Sequence, residues 1–368
     1  MTDPAHRHRH GLPEGTVLAA RPELGGARST PAFGLPPDAS SGLPGPLGTT
    51  HIGTRLFAWG ACTYVMGIIN VTPDSFSGDG LLARAGPAAP GRAGAGPAAT
   101  DRAGAGPAAT DRAGAGRAAT DRAGAGPAAA AVALASSMVE AGADIVDVGG
   151  ESTRPGHAVV DIADEIARVV PVVRAVREAL PDTPISVDTT KPAVAAAALE
   201  AGADLVNDVW GVADEDTLAR LAADHGVPIV LMHNRAEARY ANLIPEIIGD
   251  LQRAIERTLR AGVAWDDILI DPGFGFGKTA DHNLALLREL RTLAILGRPI
   301  VLGTSRKSTL GRVLDLPADQ RLEATLATTA LGIAAGADIV RVHDVRENVR
   351  AARMADAVVR GIWPEEPR

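Results

Sequence analysis

Eight stretches of this sequence end an apolar run on residues that can do chemistry. In chain order they deliver Asn70; Glu151-Ser152-Thr153-Arg154 after Gly149; Asp188; Asn207-Asp208; His233; Asp271; Ser305-Arg306-Lys307-Ser308; and Arg341 with His343. The set sorts by charge. Asp188, Asn207 and Asp271 offer two carboxylates and an amide, groups that hold a flat heterocycle with several N–H donors along one edge. Arg154, Lys307, Arg341 and His343 offer positive charge to an anion. Asn70 offers an oxygen to Mg2+, which keeps several waters and takes few protein ligands where phosphate oxygens complete its shell. Together they suit a ligand with a heterocyclic end and a phosphate end. One carboxylate alone says little, because Asp188 or Asp271 would equally cap a following helix. Eight polar strand ends say more, since a fold without a ligand needs no such set.

The stretch Ile268 to Thr279, I-L-I-D-P-G-F-G-F-G-K-T, imitates a phosphate-binding turn without being one. Pro272 stands where a P-loop requires its leading glycine. The dinucleotide pattern fails too, because after Gly273 and Gly275 its third glycine falls on Lys278. What remains is a short buried strand, Ile268 to Ile270, that hands the chain to Asp271, followed by glycines that permit a tight turn.

Such residues need a scaffold that gathers strand ends, and the chain repeats a joint suited to one. A-G-A-D followed by two β-favouring residues occurs at Ala141 to Val146, Ala201 to Val206 and Ala335 to Val340. Each time an alanine-rich helical stretch meets a glycine fit for a left-handed cap, and a strand begins about two residues later. Gly226-Val227-Pro228 and Gly297-Arg298-Pro299 make the same joint. Strands are predicted at Val65 to Ile69, Ile145 to Val148, Ile185 to Val187, Leu205 to Val206, Ile229 to Met232, Ile268 to Ile270, Ile300 to Leu302 and Ile339 to Val342. Eight βα units in about 260 residues, an insertion set aside, predict an α/β protein with a (β/α)8 TIM barrel, whose site lies at the carboxyl ends of the strands. A doubly wound sheet is the rival, and it lacks the phosphate fingerprint expected after its first strand.

Two segments stand outside this rhythm. Residues 1–50 are rich in Pro, Gly, Ser and Ala without apolar periodicity and read as a disordered tail, leaving 51–368 for the barrel. Within the barrel, residues 83–129 carry the decapeptide R-A-G-A-G-P-A-A-T-D from Arg92 and Arg102, and from Arg112 with Arg117 in place of the proline. A period with two glycines sustains neither helix nor strand, so this is read as a low-complexity surface insertion, which a fold tolerates at a cost of about 1–2 kcal/mol. Leu56, Phe57, Trp59, Cys62, Tyr64 and Val65 predict an N-terminal hairpin around Gly60. Val71 to Gly80, V-T-P-D-S-F-S-G-D-G, has the composition of a mobile catalytic loop.

Composition bounds the partners. A net charge of −8 and a pI near 5.6 argue against nucleic acid or an anionic membrane surface. The single cysteine, Cys62, excludes an internal disulfide framework and fits a reducing compartment. No run reaches the ~18 apolar residues of a membrane span, and the first thirty residues lack a secretory core, so a cytoplasmic protein acting on small molecules is predicted.

Seven motifs in order carry a resemblance to a known family. They are M-G-I-I-N-V-T-P-D-S-F at Met66 to Phe76, D-V-G-G-E-S-T-R-P-G at Asp147 to Gly156, S-V-D-T at Ser186 to Thr189, and N-D at Asn207-Asp208. D-P-G-F-G-F-G-K at Asp271 to Lys278, S-R-K-S at Ser305 to Ser308 and R-V-H-D at Arg341 to Asp344 complete them. Together they resemble dihydropteroate synthase, a pterin-binding TIM-barrel family. The resemblance implies condensation of (7,8-dihydropterin-6-yl)methyl diphosphate with 4-aminobenzoate, giving 7,8-dihydropteroate and diphosphate in folate biosynthesis. It implies Mg2+ as cofactor and a homodimer. It further implies that Asp188, Asn207, Asp271 and Lys307 grip the pterin, that Thr153, Arg341 and His343 hold the diphosphate, and that Asn70 holds the Mg2+. Phe76, Pro155, Phe276 and Ser308 would line the aminobenzoate pocket. Arg154 would act on the closing loops and join Asp188, Lys307, Arg341 and His343 in the catalytic set. The implied route is dissociative: diphosphate departs, a pterin-methyl cation forms beside Asp188, and the arylamine attacks without a strong base.

Three departures stand against the family pattern. S-F-S-G-D-G places Gly78 where an aspartate is expected and Asp79 one position late, the insertion comes directly after, and Asn234-Arg235 succeeds His233. A non-catalytic pterin-binding paralogue is the alternative that the first two favour. A corrinoid-dependent pterin-binding methyltransferase module is a further one, opposed by S-R-K-S and R-V-H.

Overall fold

A computed structural model describes residues 47–72, 126–151, 160–211 and 216–362. The expected tail up to residue 46, the loop beyond Thr72, most of the repeat, and Phe76, Gly78, Asp79, Thr153, Arg154 and Pro155 lie outside the described residues.

Short strands with apolar residues at alternate positions set the architecture. A hairpin comes first, β1 (Thr49–Ile52) antiparallel to β2 (Arg55–Ala58). Eight mutually parallel strands come after it: β3 (Tyr64–Asn70), β4 (Ile145–Gly149), β5 (Ile185–Asp188), β6 (Leu205–Asp208), β7 (Ile229–Met232), β8 (Ile268–Asp271), β9 (Val301–Leu302) and β10 (Ile339–Val342). They pair in the order β8-β7-β6-β5-β4-β3-β10-β9, and a parallel bridge from Ile270 to Ile300 brings the two end strands together. The sheet thus curls into the expected TIM barrel. Between the strands run α1 (Pro127–Glu140), α2 (Ile162–Ala179), α3 (Pro192–Glu200), α4 (Thr217–His225), α5 (Leu243–Arg260), α6 (Ala280–Arg288), α7 (Ser308–Leu314) and α8 (Leu322–Ala334), with α9 (Val345–Val359) closing the series.

Alternation splits the apolar residues into two layers. Val65, Ile69, Val146, Val148, Val187, Val206, Ile270 and Val340 pack outward among the helices. Met66, Ile145, Leu205, Val230, Leu269, Val301 and Ile339 form a separate interior cluster, which Ile52, Phe57 and Trp59 of the hairpin region complete. These interior residues sit toward the amino ends of their strands, so the hairpin plugs that mouth. Burying Ile52 and Phe57 there contributes about 1.5–3 kcal/mol each. The carboxyl mouth is left for chemistry.

The A-G-A-D joints show why each aspartate is there. Asp144 accepts the Val65 N–H at 2.9 Å, Asp204 that of Ile185 at 2.9 Å and Asp338 that of Ile300 at 3.0 Å. Each carboxylate therefore holds an amino end of a strand, while Gly142, Gly202 and Gly336 turn at φ of 103°, 113° and 101°.

Three local expectations are corrected. The hairpin turns at Gly53-Thr54, not around Gly60: Ile52 pairs with Arg55, and Gly53 supplies the positive φ of 58° that so short a loop needs. Thr49 and Thr50, assigned to the tail, belong to β1. Pro127, Ala128 and Ala129, assigned to the insertion, open α1, because proline suits a first helical turn and alanine suits any position in a helix.

Candidate active site

Strand register sets the polar residues side by side. Asn70 pairs with Gly149, Gly149 with Asp188, and Asp188 with Asn207, so β3 to β6 carry a continuous row across the carboxyl mouth. Above it opens a cleft of about 400 Å³ whose wall includes Asn70, Asp188, Phe276, Lys307, Ser308, Arg341 and His343. Asn207 and Asp271 are buried at their strand ends, at 5% and 6% exposure, and are not part of that wall.

Arg341 organises the floor. Its Nε donates to Asp147 Oδ2 at 2.6 Å, and an Nη donates to Asp188 Oδ2 at 2.6 Å. Asn207 Nδ2 reaches Asp147 Oδ2 only at 3.4 Å. The remaining oxygens, Asp147 Oδ1 and Asp188 Oδ1, and the hydroxyl of Ser186 are buried with no hydrogen-bond partner among the described residues. A buried acceptor left unmade costs about 1–3 kcal/mol, so such a group asks for a ligand donor. Burial raises the Asp188 carboxyl above the usual carboxylate range, and the Arg341 guanidinium opposes that rise.

The loop after β8 supplies one wall. Asp271 Oδ1 accepts the Gly273 N–H at 2.6 Å. Lys307 donates its ammonium to the Phe274 carbonyl and holds it 4.0 Å from the centre of the Phe276 ring. Burial pushes the Lys307 ammonium down to about 7, with Asp271 opposing, and raises Asp271, with Lys307 opposing. Gly273 is obligatory here: its φ is 70°, and a Cβ on it would stand 1.8 Å from the His233 carbonyl oxygen.

The loops after β9 and β10 are clasped together. Ser305 Oγ accepts the His343 N–H at 3.2 Å and lies 2.9 Å from His343 Nδ1. Arg306 Nε donates to Asp344 Oδ2 at 3.0 Å, with Arg306 in the left-handed region at φ 57°. A non-glycine residue held there stores strain of about 1–3 kcal/mol, and such strain gathers at functional loops. Arg321 donates to the Arg306 carbonyl at 2.9 Å and so supports the turn.

Of the residues expected to act, Asn70, Asp188, Asn207, Asp271, Phe276, Lys307, Ser308, Arg341 and His343 gather at this mouth. Thr153, Arg154, Pro155 and Phe76 fall outside the described residues. Two polar strand ends point elsewhere. Asp208 turns back to accept the Trp210 N–H at 3.0 Å, and burial pushes its carboxyl up to about 6. His233 is fully buried, with Nε2 3.0 Å from Asp250 Oδ2. Missed in the sequence were Asp147 and Ser186, which stand mid-strand among apolar residues; a charged group in a fully buried strand was the available signal. Glu151, Glu165 and Lys191 form a further unforeseen group, in which Lys191 donates to both carboxylates and Glu151 accepts the Val160 N–H at 3.1 Å.

Lys307 and Lys278 are both pushed down to about 7 by burial, from 10.5. Between those values the unfolded chain binds more protons than the folded one, so stability rises with pH through this window. The ligand-free protein is expected to melt several degrees higher at pH 9 than at pH 7.5, with a smaller gain in Lys307→Met. A melting temperature flat or falling across this interval in scanning fluorimetry would show that Asp271 and the carbonyl partners of the two lysines outweigh the effect of burial.

Known proteins resemble this chain in sequence and in fold. Residues 118–343 match the sequence profile of a family described as pterin binding enzyme. The chain is 43% identical over 310 residues to a dihydropteroate synthase of Clostridium beijerinckii, a match covering 84% of this chain and 99% of that protein. The crystal structure of a Clostridium difficile dihydropteroate synthase in the presence of pteroic acid superposes with a TM-score of 0.67 at 41% identity, covering 83% of this chain and 99% of that one. A Xanthomonas albilineans dihydropteroate synthase with 4-aminobenzoic acid gives 0.69 at 34%, covering 86% and 99%.

Proposed function

From the premise that the chain belongs to the dihydropteroate synthases, a family of pterin-binding enzymes, we infer the part each residue of the cleft takes in the reaction. The protein is a transferase of folate biosynthesis, joining the pterin-methyl group of its diphosphate ester to 4-aminobenzoate. The observation that carries the assignment of residues is the pair of unpartnered buried oxygens on Asp147 and Asp188 beneath a cationic wall. The amino-bearing edge of the pterin brings N–H donors to them, and Asn207, Asp271 and Lys307 complete the grip. Arg341, His343 and Thr153 take the diphosphate. A guanidinium carries five donors, so the bonds of Arg341 to Asp147 and Asp188 orient it without exhausting it. Phe276 and Ser308, with Phe76 and Pro155, border the aminobenzoate, and Arg154 acts on the closing loops.

Departure of diphosphate leaves positive charge on the pterin methyl carbon. Asp188 stabilises that charge, while Arg341 and His343 stabilise the leaving anion. The arylamine then attacks and releases a proton to water. Mg2+ fits beside these groups: Asn70 is half-buried in the same cleft, next to Asp188 across Gly149, and offers an amide oxygen. When bound, the ion supplies Lewis-acid neutralisation of the diphosphate. Chelation of divalent ions is expected to lower the rate at least tenfold, and added Mg2+ to restore it.

A homodimer is supported by surface chemistry as well as by the resemblance. Val313 and Leu314 of α7, Leu331 of α8, and Met354 and Val358 of α9 are exposed apolar residues on consecutive helices, the kind of surface that a second copy covers. Light scattering should give twice the chain mass. No helix among the described residues is long and apolar enough to cross a membrane, and the cytoplasm is the proposed place of work.

The deciding assay supplies the pterin diphosphate, labelled 4-aminobenzoate and Mg2+. Dihydropteroate is the expected product. Its absence at high enzyme concentration, with the pterin still bound, would favour the non-catalytic paralogue.

A further inference from the structure

Lys278 has no place in the wall of the cleft, yet its ammonium is the most heavily engaged group of the glycine-rich loop. Its Nζ lies 3.0 Å from the carbonyl oxygens of Gly273 and Phe276, 3.4 Å from that of His233, and 3.0 Å from His233 Nδ1. All four are acceptors only if the His233 ring is neutral and carries its hydrogen on Nε2. That tautomer is the one Asp250 selects, with Oδ2 3.0 Å from Nε2. Arg235 in turn holds Asp250 through Nε at 2.9 Å. A relay therefore runs from α5 through His233 and Lys278 into the turn.

The turn lies between two ammonium groups. Lys278 takes the carbonyls of Gly273 and Phe276 from behind, while Lys307 takes that of Phe274 from the cleft side. Gly275 N–H is tied to Asn283 Oδ1 at 2.7 Å, and Tyr240 donates to the Gly277 carbonyl at 2.9 Å. Asp271 feels the charge of Lys278 but depends on it less than on Lys307, the Gly273 N–H and Arg341. It ends a strand, its carbonyl accepts the His233 N–H at 2.8 Å, and Gly273 N–H reaches its side chain. Phe276 has no strand beneath it, and its own carbonyl is bound directly by Lys278.

We propose that Lys278 is a positioning residue that holds the Gly273–Gly277 turn, and with it Phe276, in place for the second substrate while leaving the heterocycle grip of Asp271 to the strand. The proposal rests on the reading of this cleft as the pterin and aminobenzoate site. It accounts for the lysine of this turn: the turn aims carbonyl oxygens, not N–H groups, at its centre, and the side chain of Lys278 satisfies them from within the chain.

The test is Lys278→Met, which keeps the stem and removes every donor. Amide exchange in residues 273–277 is expected to quicken at least tenfold while Ile268–Asp271 stays protected. In steady-state kinetics the KM for 4-aminobenzoate rises at least tenfold and the KM for the pterin diphosphate stays within threefold. Unchanged exchange in the turn would overturn the proposal, as would equal loss of both substrates together with general loosening of the barrel. If the methionine variant does not fold, Lys278→Gln, which keeps two donors on a shorter stem, is held to the same split at smaller size. A wild-type protein that makes no dihydropteroate would unseat the function itself, and the exchange comparison would still decide whether Lys278 holds the turn.

Discussion

Lys307→Ala is expected to lower kcat/KM for the pterin diphosphate by about a thousandfold. The ammonium of Lys307 is the largest single influence opposing the burial of Asp271, and it also binds the Phe274 carbonyl and covers the Phe276 ring at 4.0 Å. Removing one partner of a buried charge pair costs roughly 3–5 kcal/mol, because the other charge is left uncompensated. About 4 kcal/mol corresponds to three orders of magnitude in rate if it falls on the transition state. Steady-state kinetics on variant and parent, with melting temperatures to exclude unfolding, would measure it. A loss under tenfold would remove Lys307 from the pterin grip.

Asp188→Asn should act differently, on turnover more than on binding. The amide keeps the shape of the side chain, and Arg341 retains its second carboxylate, Asp147, at 2.6 Å. What disappears is a negative charge facing the carbon that becomes cationic. One unit charge about 4 Å away is worth ~4 kcal/mol at an effective dielectric of 20, again close to a thousandfold. Because that interaction develops only as diphosphate leaves, kcat is expected to fall by about this factor while the KM for the pterin diphosphate moves less than tenfold. A large rise in KM with kcat preserved would confine Asp188 to the pterin grip and count against its part in the dissociative route.

Much of the scaffold was legible because its signals are local. Strand positions derive from apolar runs, the joints derive from glycine's access to left-handed backbone, and each of the eight barrel strands begins within one residue of its prediction. The rim was legible for the same reason. A residue at the carboxyl end of a strand can be named without knowing its neighbours, and Asn70, Asp188, Asp271, Lys307, Arg341 and His343 were. Gly53 was overlooked as the hairpin turn because the aromatic residues of the next segment flank Gly60. Asp208 and His233 also looked like rim residues; the side-chain direction that removes them from the cleft depends on partners such as Trp210 and Asp250.

The sequence by itself determined a barrel, the mouth at which its polar residues collect, and the chemical character of the ligand. These depend on residue type and on periodicities of a few residues. Only the tertiary structure decided which charges meet. Closing the barrel brings Arg341 to within 2.6 Å of Asp147, 194 positions earlier in the chain, leaving one oxygen of that carboxylate and one of Asp188 without partners. It also sets Ser305 against His343 and wraps the Gly273–Gly277 turn around Lys278. Hydrogen bonds and desolvation act over a few ångströms of space, and separation along the chain carries no record of that distance.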